Sequence, residues 1–250
     1  MDNTTPVGIQ RDLHDARVGK IAKYCNLVIG KSGLWTLVKY ELIVMLCGNM
    51  PGALGLLLRG KLYPSLLGKV GRNVNFGMNV VLRHPHKIVI GDNVVIDDNC
   101  LLDAKGEHNK GVVIGSGSFI GRNTILSCKD GDIEIGENAN IGFNCEIFSA
   151  SKVTLGKNAL FAAYCYLIGG EHTYTRTDIS VLEQERKSDG IIIEDNVWLG
   201  ASVKVTDGAH IGRDCIIGTS AVVRGVIPEF SIAVGIPAKV IKNRRLEEED

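Results

Sequence analysis

Large apolar side chains recur every six residues through most of this chain, in seven groups of three between positions 70 and 223. The variable gaps fall only between the groups, and glycine follows 11 of the 21 spaced residues. This period predicts a repeat fold in which three short strands form one triangular coil, each pairing in parallel with a strand about 4.8 Å away in the next coil. The spaced residues are Val70, Phe76, Leu82, Ile90, Ile96, Leu102, Ile114, Ile120, Leu126, Ile135, Ile141, Ile147, Leu155, Phe161, Leu167, Ile193, Leu199, Val205, Ile211, Ile217 and Val223.

A second inward position follows from the alternation of side chains along a strand. Residues two before a spaced position are predicted to point into the same interior, at a narrower place where small side chains are needed. Valine, alanine, cysteine, serine or threonine occupies 13 such positions, which supports the register. These positions are Val94, Cys100, Ser118, Thr124, Ala139, Cys145, Ala159, Cys165, Val197, Val203, Ala209, Cys215 and Ala221.

The composition agrees with a regular, folded chain of one large or two small domains. Its 30 glycines and only 6 prolines suit a turn-rich backbone rather than a flexible linker. Basic and acidic residues are equal at 28 each, so no overall charge favours nucleic acid, and we expect no nucleic-acid partner.

The cysteines indicate core residues in a reducing compartment. Four of the seven share the narrow inward position, whereas Cys25, Cys47 and Cys128 lie outside the register and have no partner motif. The chain contains no CxxC pair, and its first 17 residues are polar rather than a signal peptide. We therefore expect a cytoplasmic protein without disulfides and without a metal site.

Three regions are predicted along the chain. Residues 1–66 form an N-terminal helical region, residues 67–241 form the β-helix with long loops at Asp103–Val113 and Ile168–Ile192, and residues 242–250 form a charged tail. No apolar stretch is long enough to span a membrane. The apolar helices at residues 31–61 either cap the open end of the coil or make peripheral contact with the inner face of the membrane, and the two roles are compatible.

Two local motifs extend the pattern to a known family. The segment Asp195–Gly200 resembles the NVWIG box of the hexapeptide-repeat acyltransferases, and Ile227–Ile241 resembles their closing IPxxxxxxGxPAKVI signature. The likeness covers roughly residues 70–241 and is strongest to the branch of maltose, galactoside and exopolysaccharide O-acetyltransferases. It implies a mainly β fold, a left-handed parallel β-helix of about seven coils with an N-terminal helical region, although parallel crossovers are otherwise right-handed.

The resemblance also implies a homotrimer that transfers an acyl group, with acetyl-CoA as donor, at sites between neighbouring subunits. His172, at the start of the longest loop, matches the family's general base, a role that suits a side chain with a pKa near neutrality. Asn144 matches a family site residue that orients the base or binds the acceptor. Without the resemblance, His172 is a solvated loop histidine and Asn144 is a turn residue.

For the donor, the resemblance implies that Trp198 covers the pantetheine arm and that Lys239 meets the phosphates of CoA. Ala201 and Thr219 would offer backbone groups from stacked coils. The alternative for Trp198, at an outward strand position, is packing between subunits. Both interpretations stay open, because the two surfaces are neighbours in such a trimer.

One departure from the family leaves the acceptor open. Several sugar acetyltransferases carry an acidic residue shortly after the site asparagine, whereas this chain has Phe148, Ser149 and Ala150. The predicted reaction is transfer to a hydroxyl of a glycan, sugar or lipid-linked acceptor. Alternatives are N-acetylation of an amino sugar and a non-catalytic β-helix scaffold, while the histidine spacing disfavours a γ-type carbonic anhydrase.

Overall fold

The computed structural model describes residues 17–247. The polar start up to residue 16 and the last three residues of the charged tail lie outside this range. Within the described residues, three helices precede the strands: α1 (Lys20–Tyr24), α2 (Leu34–Cys47) and α3 (Gly52–Leu62). A π-helical turn at Cys25–Ile29 follows α1, and a 3-10 turn at Tyr63–Ser65 follows α3.

Strands of two to five residues form three sheets and one small hairpin in the remaining described chain. Sheet 1 contains β1 (Lys69–Val70), β4 (Ile88–Ile90), β7 (Val112–Ile114), β10 (Asp132–Ile135), β13 (Lys152–Leu155), β18 (Ile191–Ile193), β21 (His210–Ile211) and β24 (Val226–Ile227). Sheet 2 contains β2 (Asn75–Phe76), β5 (Val95–Ile96), β8 (Phe119–Ile120), β11 (Asn140–Ile141), β14 (Leu160–Phe161), β19 (Trp198–Leu199), β22 (Ile216–Ile217), β25 (Ser231–Val234) and β26 (Lys239–Asn243). Sheet 3 contains β3 (Val81–Arg83), β6 (Leu101–Asp103), β9 (Ile125–Cys128), β12 (Glu146–Ser149), β15 (Tyr166–Gly169), β20 (Lys204–Thr206) and β23 (Val222–Val223). The hairpin pairs β16 (Glu171–His172) with β17 (Arg186–Lys187).

The chain visits the three sheets in turn, so each set of three strands makes one coil. β4 pairs in parallel with β1, β5 with β2 and β6 with β3, and this step repeats along the coil. Seven coils are complete, and β24 and β25 begin an eighth. The predicted mainly β fold, a parallel β-helix of about seven coils after an N-terminal helical region, is confirmed.

The interior of the coil follows the predicted register closely. Of the 21 spaced residues, 20 are buried, and the exception, Val70, is half-buried in the first coil. All 13 small residues of the second position are buried as well. Cys128, outside the register, is also buried, because β9 continues past Leu126 and turns its next inward side chain to the core. The seven cysteines are free thiols.

The corners between sheets 2 and 3 share one backbone conformation. One residue at each corner has a φ between 54° and 64°, in the left-handed region that asparagine adopts more easily than most residues. Side-chain amides bond between stacked corners, from Asn79 to Asn99 and from Asn123 to Asn144, both at 3.0 Å. The corner residues are Asn79, Asn99, Asn123, Asn144, Tyr164, Ser202 and Ser220.

The helices lie against the first coil through a few specific contacts. The ring of Tyr63 meets that of Phe76 edge-on at 5.4 Å, and the hydroxyl of Tyr40 donates to the carbonyl of Leu82 at 2.8 Å. Buried Arg59 donates to three carbonyls, those of Phe76 and Cys47 at 2.9 Å and that of Met50 at 2.7 Å. None of the helices within residues 17–247 has the length and apolar character needed to cross a bilayer.

The opposite end of the coil is closed by the last strand. β26 folds back antiparallel on β25, and the backbone amide of Ala238 donates to the carbonyl of Val222 at 2.8 Å. The segment between them therefore lies beside the corner that follows Thr219. This closing segment is the one that resembles the family signature.

Candidate functional site

His172 lies on a hairpin that leaves the coil directly after β15. Glu171 pairs with Lys187 and His172 pairs with Arg186 in antiparallel register. The predicted loop Ile168–Ile192 thus contains regular structure at its base. Backbone pairing fixes the direction of the chain at His172, which is half-buried.

Polar contacts hold the rest of this loop in place. The side chain of Gln184, buried in the loop, accepts from the amide of Arg176 at 3.1 Å and donates to the carbonyl of the same residue at 2.8 Å. The carboxylate of Asp207 accepts from the amides of Asp189 and Gly190 at 2.8 and 3.0 Å. The loop is therefore fastened both internally and to the next coil.

A cavity of about 200 Å³ lies between the hairpin and the outer side of sheet 3. The rings of Phe148 and Tyr166 form part of its wall, 5.8 Å apart, and the ammonium of Lys129 lies 5.2 Å from the Phe148 ring. Three basic residues and one acidic residue line it, so it favours anionic groups. The lining residues are Lys129, Phe148, Ala150, Tyr166, Ile168, Gly169, Gly170, Glu171, His172, Arg186 and Lys187.

The imidazole of His172 has an unusual environment for a loop side chain. Its Nδ1 atom is buried, yet it makes no hydrogen bond with any group in residues 17–247. A buried polar atom normally has a partner, and leaving one unpaired costs roughly 1–3 kcal/mol. Nearby, burial and, to a smaller extent, the charge of Glu146 raise the pKa of Tyr166, so its hydroxyl stays protonated.

Asn144 lies at the other end of the same sheet. It precedes β12, whereas His172 follows β15, the strand that pairs with β12. A strand of four residues spans about 13 Å, and this length separates the two residues along the sheet. The carbonyl of the Asn144 side chain accepts from Asn123, so within one chain Asn144 is part of the corner ladder and lies away from the cavity.

The four predicted donor residues lie along the same row of corners as Asn144, two or more coils further on. Ala201 and Thr219 occupy stacked corners, and a Cβ on Gly200 would come within 2.7 Å of the Thr219 amide. Trp198 lies on β19 with 48% of its surface exposed. Exposed Lys239 begins β26, one residue after Ala238. The structure thus groups these residues at one edge of the prism.

Four of the eleven residues that line the cavity were not marked by any sequence motif. Lys129, Tyr166, Arg186 and Lys187 line it, but they belong to no motif and are far apart in the chain. Phe148 and Ala150 had been noticed only as a departure from the family pattern. The position of Phe148 and Ala150 in the wall indicates that this departure changes the shape of the pocket.

The remaining histidines do not form a metal centre in the described part of the chain. Buried His84 places its Nε2 at 2.8 Å from the carbonyl of Asn26, and the Nε2 of His210 lies 2.7 Å from a carboxylate oxygen of Glu194. Within residues 17–247, no three His, Cys, Asp or Glu side chains are grouped closely enough to hold a metal ion. His84 and His210 therefore have structural partners.

Family models match three stretches of the coil. One, described as bacterial transferase hexapeptide (six repeats), matches residues 190–225. Another, described as hexapeptide repeat of succinyl-transferase, matches residues 69–104 and 132–167. Together they cover coils on both sides of the His172 hairpin.

The individual proteins to which the chain is similar include acetyltransferases. The chain is 35% identical over 133 residues to a Mycobacterium tuberculosis protein named as a probable acetyltransferase, covering 53% of this chain and 44% of that protein. It is 32% identical over 117 residues to the galactoside O-acetyltransferase of Escherichia coli, covering 44% and 54%. The chain thus spans about half the length of the curated relatives it matches.

A solved structure shares the fold. It is a mutant of AntD, an N-acyltransferase from Bacillus cereus, in complex with dTDP-4-amino-4,6-dideoxyglucose and coenzyme A. It aligns with a TM-score of 0.52 and 21% identity, covering 73% of this chain and 90% of AntD. With the matching repeats, the coil architecture and these relatives, the chain belongs to the hexapeptide-repeat acyltransferase family, in the branch of the galactoside and related O-acetyltransferases.

Proposed function

We propose that this chain is an acyltransferase that moves an acetyl or other short acyl group from acyl-CoA to a hydroxyl of a glycan, sugar or lipid-linked acceptor in the cytoplasm. The observation that carries the proposal is the position of His172. Its half-buried imidazole lines a cavity with aromatic and cationic walls, on a hairpin fixed by Gln184 and Asp207. The acetyltransferase names of the relatives support the same chemistry.

His172 acts as the general base in this scheme. The imidazole takes the proton of the acceptor hydroxyl as its oxygen attacks the thioester carbonyl. The tetrahedral intermediate then collapses, the carbon–sulfur bond breaks, and the imidazolium returns the proton to the departing thiolate of CoA. General base catalysis of this kind contributes on the order of 100 to 10,000-fold to the rate.

The donor site is proposed at the edge formed by Trp198, Ala201, Thr219 and Lys239. The indole covers the pantetheine arm, backbone groups of the stacked corners bond to its amides, and the lysine meets a phosphate. Because the chain has two tryptophans, Trp35→Phe leaves Trp198 as a single reporter of this edge. CoA should quench its fluorescence, and Lys239→Ala should weaken CoA binding about fivefold, as expected for one charge-assisted contact.

A homotrimer with sites between subunits is part of the proposal. The outer side of sheet 2 carries a nearly continuous apolar row that a single chain leaves partly in water, the kind of surface that marks an interface. One chain also holds Asn144 and His172 at opposite ends of sheet 3, so a site that uses both needs two copies. The apolar row consists of Val95, Phe119, Leu160, Trp198, Ile216 and Ile232.

The experiment is acyl transfer by the full chain. We expect it to release CoA from acetyl-CoA when pooled sugars, glycolipids and amines are added, with CoA measured by chromatography. His172→Ala should reduce this release at least 100-fold, the loss expected for a general base. His108→Ala is the matched control, because that imidazole lies on another loop with 97% of its side chain exposed.

The outcomes separate the candidate functions. Release that is equal in the intact protein and in His172→Ala, or no acceptor-dependent release, would favour a non-catalytic scaffold and contradict the proposal. Mild base distinguishes the two acylations, since it cleaves an ester product and leaves an amide. A base-stable product would replace the hydroxyl acceptor by an amino sugar, the type of ligand present in the AntD complex.

A further inference from the structure

The helical head, defined as residues 17–66, has an exposed surface of unusual composition. In α2, the inward stripe of Tyr40, Ile43 and Cys47 is buried against the rest of the protein. A surface helix of this kind normally carries polar residues on its other side. Here the other side is apolar, and its exposed residues are Leu34, Trp35, Leu42, Met45 and Leu46, between 47% and 85% exposed.

The two charged residues of α2 lie at the borders of this apolar face and are held by neighbouring groups. The carboxylate of Glu41 accepts from the hydroxyl of Tyr24, and the ammonium of Lys39 donates to the carbonyl of Ser65. Neither charge therefore interrupts the apolar face. A contiguous exposed apolar surface of this kind indicates contact with a partner or a membrane.

Lysines border the face on both sides. Lys20 and Ile21 of α1 share a groove with Leu34 and Leu37, next to one border of α2. Next to the other border, Lys31, Trp35 and Lys39 line a common pocket. An apolar face with ammonium groups at its borders is the arrangement by which amphipathic helices bind at the boundary of lipid headgroups and acyl chains.

The charge of the head distinguishes it from the rest of the chain. The protein as a whole has 28 basic and 28 acidic residues, whereas residues 17–66 contain seven basic residues and one acidic residue. A cationic apolar surface is complementary to an anionic bilayer, whereas it would meet a surface of like charge if the heads of two copies faced each other. The basic residues are Arg17, Lys20, Lys23, Lys31, Lys39, Arg59 and Lys61.

We infer that the helical head binds the surface of an anionic membrane, with the outer face of α2 inserted among the acyl chains. Leu54 and Leu57 of α3, which are 61% and 62% exposed, extend the apolar surface of the head. The short helices lie in the plane of the interface, since none of them can span a bilayer. This inference rests on the head alone and does not depend on acyl transfer.

The test uses the full chain with Trp198→Phe, which leaves Trp35 as the only tryptophan. Vesicles of phosphatidylcholine with phosphatidylglycerol should shift Trp35 emission to the blue, and brominated lipids should quench it. Vesicles of phosphatidylcholine alone should bind much more weakly, and salt should reduce binding to the anionic ones. Lys20→Gln should weaken anionic binding about fivefold, as expected for loss of one cation at the surface.

Matched double variants test the apolar contact. Leu42→Ser with Met45→Ser should weaken vesicle binding at least roughly tenfold, because two inserted side chains lose their apolar burial. Ile192→Ser with Val226→Ser is the control on the outer side of sheet 1, at similar exposures of 49% and 70%, and should leave binding unchanged. Circular dichroism checks that both fold.

Three results would overturn the inference. The first is absence of binding to anionic vesicles, and the second is equal loss of binding in the two double variants. The third is a Trp35 that is already shielded from acrylamide in solution without lipid, which would mean that another copy of the chain covers the face. None of these readouts involves acyl transfer, so failure of the membrane contact is distinguishable from failure of the catalytic proposal.

Discussion

The coils and the helical head place their apolar residues in opposite directions. In the coils, 33 of the 34 residues of the two inward registers are buried. In the head, leucines, a methionine and a tryptophan point outward, and the contacts with the first coil come from a few side chains such as Arg59, Tyr40 and Tyr63. The repeats of the coils therefore bury their own apolar side chains. The head is held by a few individual contacts, and its outer apolar surface stays exposed.

The largest expected effect is in the coil interior. Phe161→Ala removes a side chain that is 1% exposed and leaves a cavity between stacked coils, which should lower the free energy of unfolding by about 3–5 kcal/mol. Leu57→Ala in the head, at 62% exposed, should change it by less than about 0.5 kcal/mol. Urea denaturation followed by circular dichroism measures both. Similar losses in the two variants would contradict the contrast between coil and head.

The contacts of Arg59 provide the next largest effect. Arg59→Ala removes three hydrogen bonds, to the carbonyls of Phe76, Cys47 and Met50, which should cost about 3 kcal/mol. The loss should concentrate at the junction, so a protease should release the head while the coils resist. Resistance of the head equal to that of the intact protein would show that Arg59 does not hold it.

Lowering the pH should weaken the attachment of the helical head to the first coil before it destabilises the coils. Burial, and then the charge of Lys31, lowers the pKa of His86 to about 4, and burial also lowers the pKa of His84. Both histidines favour folding in their neutral forms. Between pH 6.5 and 4 the unfolded chain binds protons that the folded chain does not, so the stability that the neutral histidines contribute falls as pH falls through this range and is lost below the folded pKa.

Trp35 and Trp198 report this difference separately, because one lies in the head and one in the coils. The melting temperature followed by Trp35, in the Trp198→Phe variant, should drop between pH 7 and pH 5 more than the one followed by Trp198. His86→Gln keeps a hydrogen-bonding side chain that does not titrate and should reduce the drop. An unchanged pH dependence in that variant would exclude His86 as the acid-sensitive group.

The smallest expected effect is at the Asn144 corner. Asn144→Ala replaces asparagine, which adopts left-handed backbone readily, by a residue that does not at a φ of 54°, and should cost about 1 kcal/mol, whereas Asn144→Gly adopts this backbone freely and should cost less. Thermal unfolding measures the difference. If activity is lost equally in both variants while only alanine destabilises, the side chain acts in the site as well as in the corner.

The coils could be predicted from sequence because their geometry repeats. Ile96 belongs to the six-residue spacing, and Cys100 belongs to the narrow position two residues before a spaced one. Both positions recur on each side of the prism, so one assignment of register applies to every coil. The partial eighth coil was missed, since Ile227 comes only four residues after Val223 and Ala233 is small. The outward orientation of Trp35 also needed the structure, because helical periodicity is weak when both faces are apolar.

The candidate site was predictable only where a motif marked it. The loop position and the family resemblance indicated His172. Arg186 pairs with it in the same hairpin, but the segment between the two residues has no periodicity that would predict this pairing. Lys129 and Tyr166 meet there because strands from different coils stack, and no local signal connects them. In the proposed trimer, Asn144 and His172 would meet only between two chains, and contacts within one chain do not bring them together.

The most direct test of the central claim, acyl transfer at a site shared between copies, is complementation of two inactive variants. His172→Ala supplies an intact Asn144, and Asn144→Gly supplies an intact His172 while preserving the corner. After joint refolding in equal amounts, about one quarter of the interfaces in a statistical trimer should pair the two intact residues, so CoA release should recover to about a quarter of the wild-type rate. A mixture as inactive as each variant alone would contradict the account.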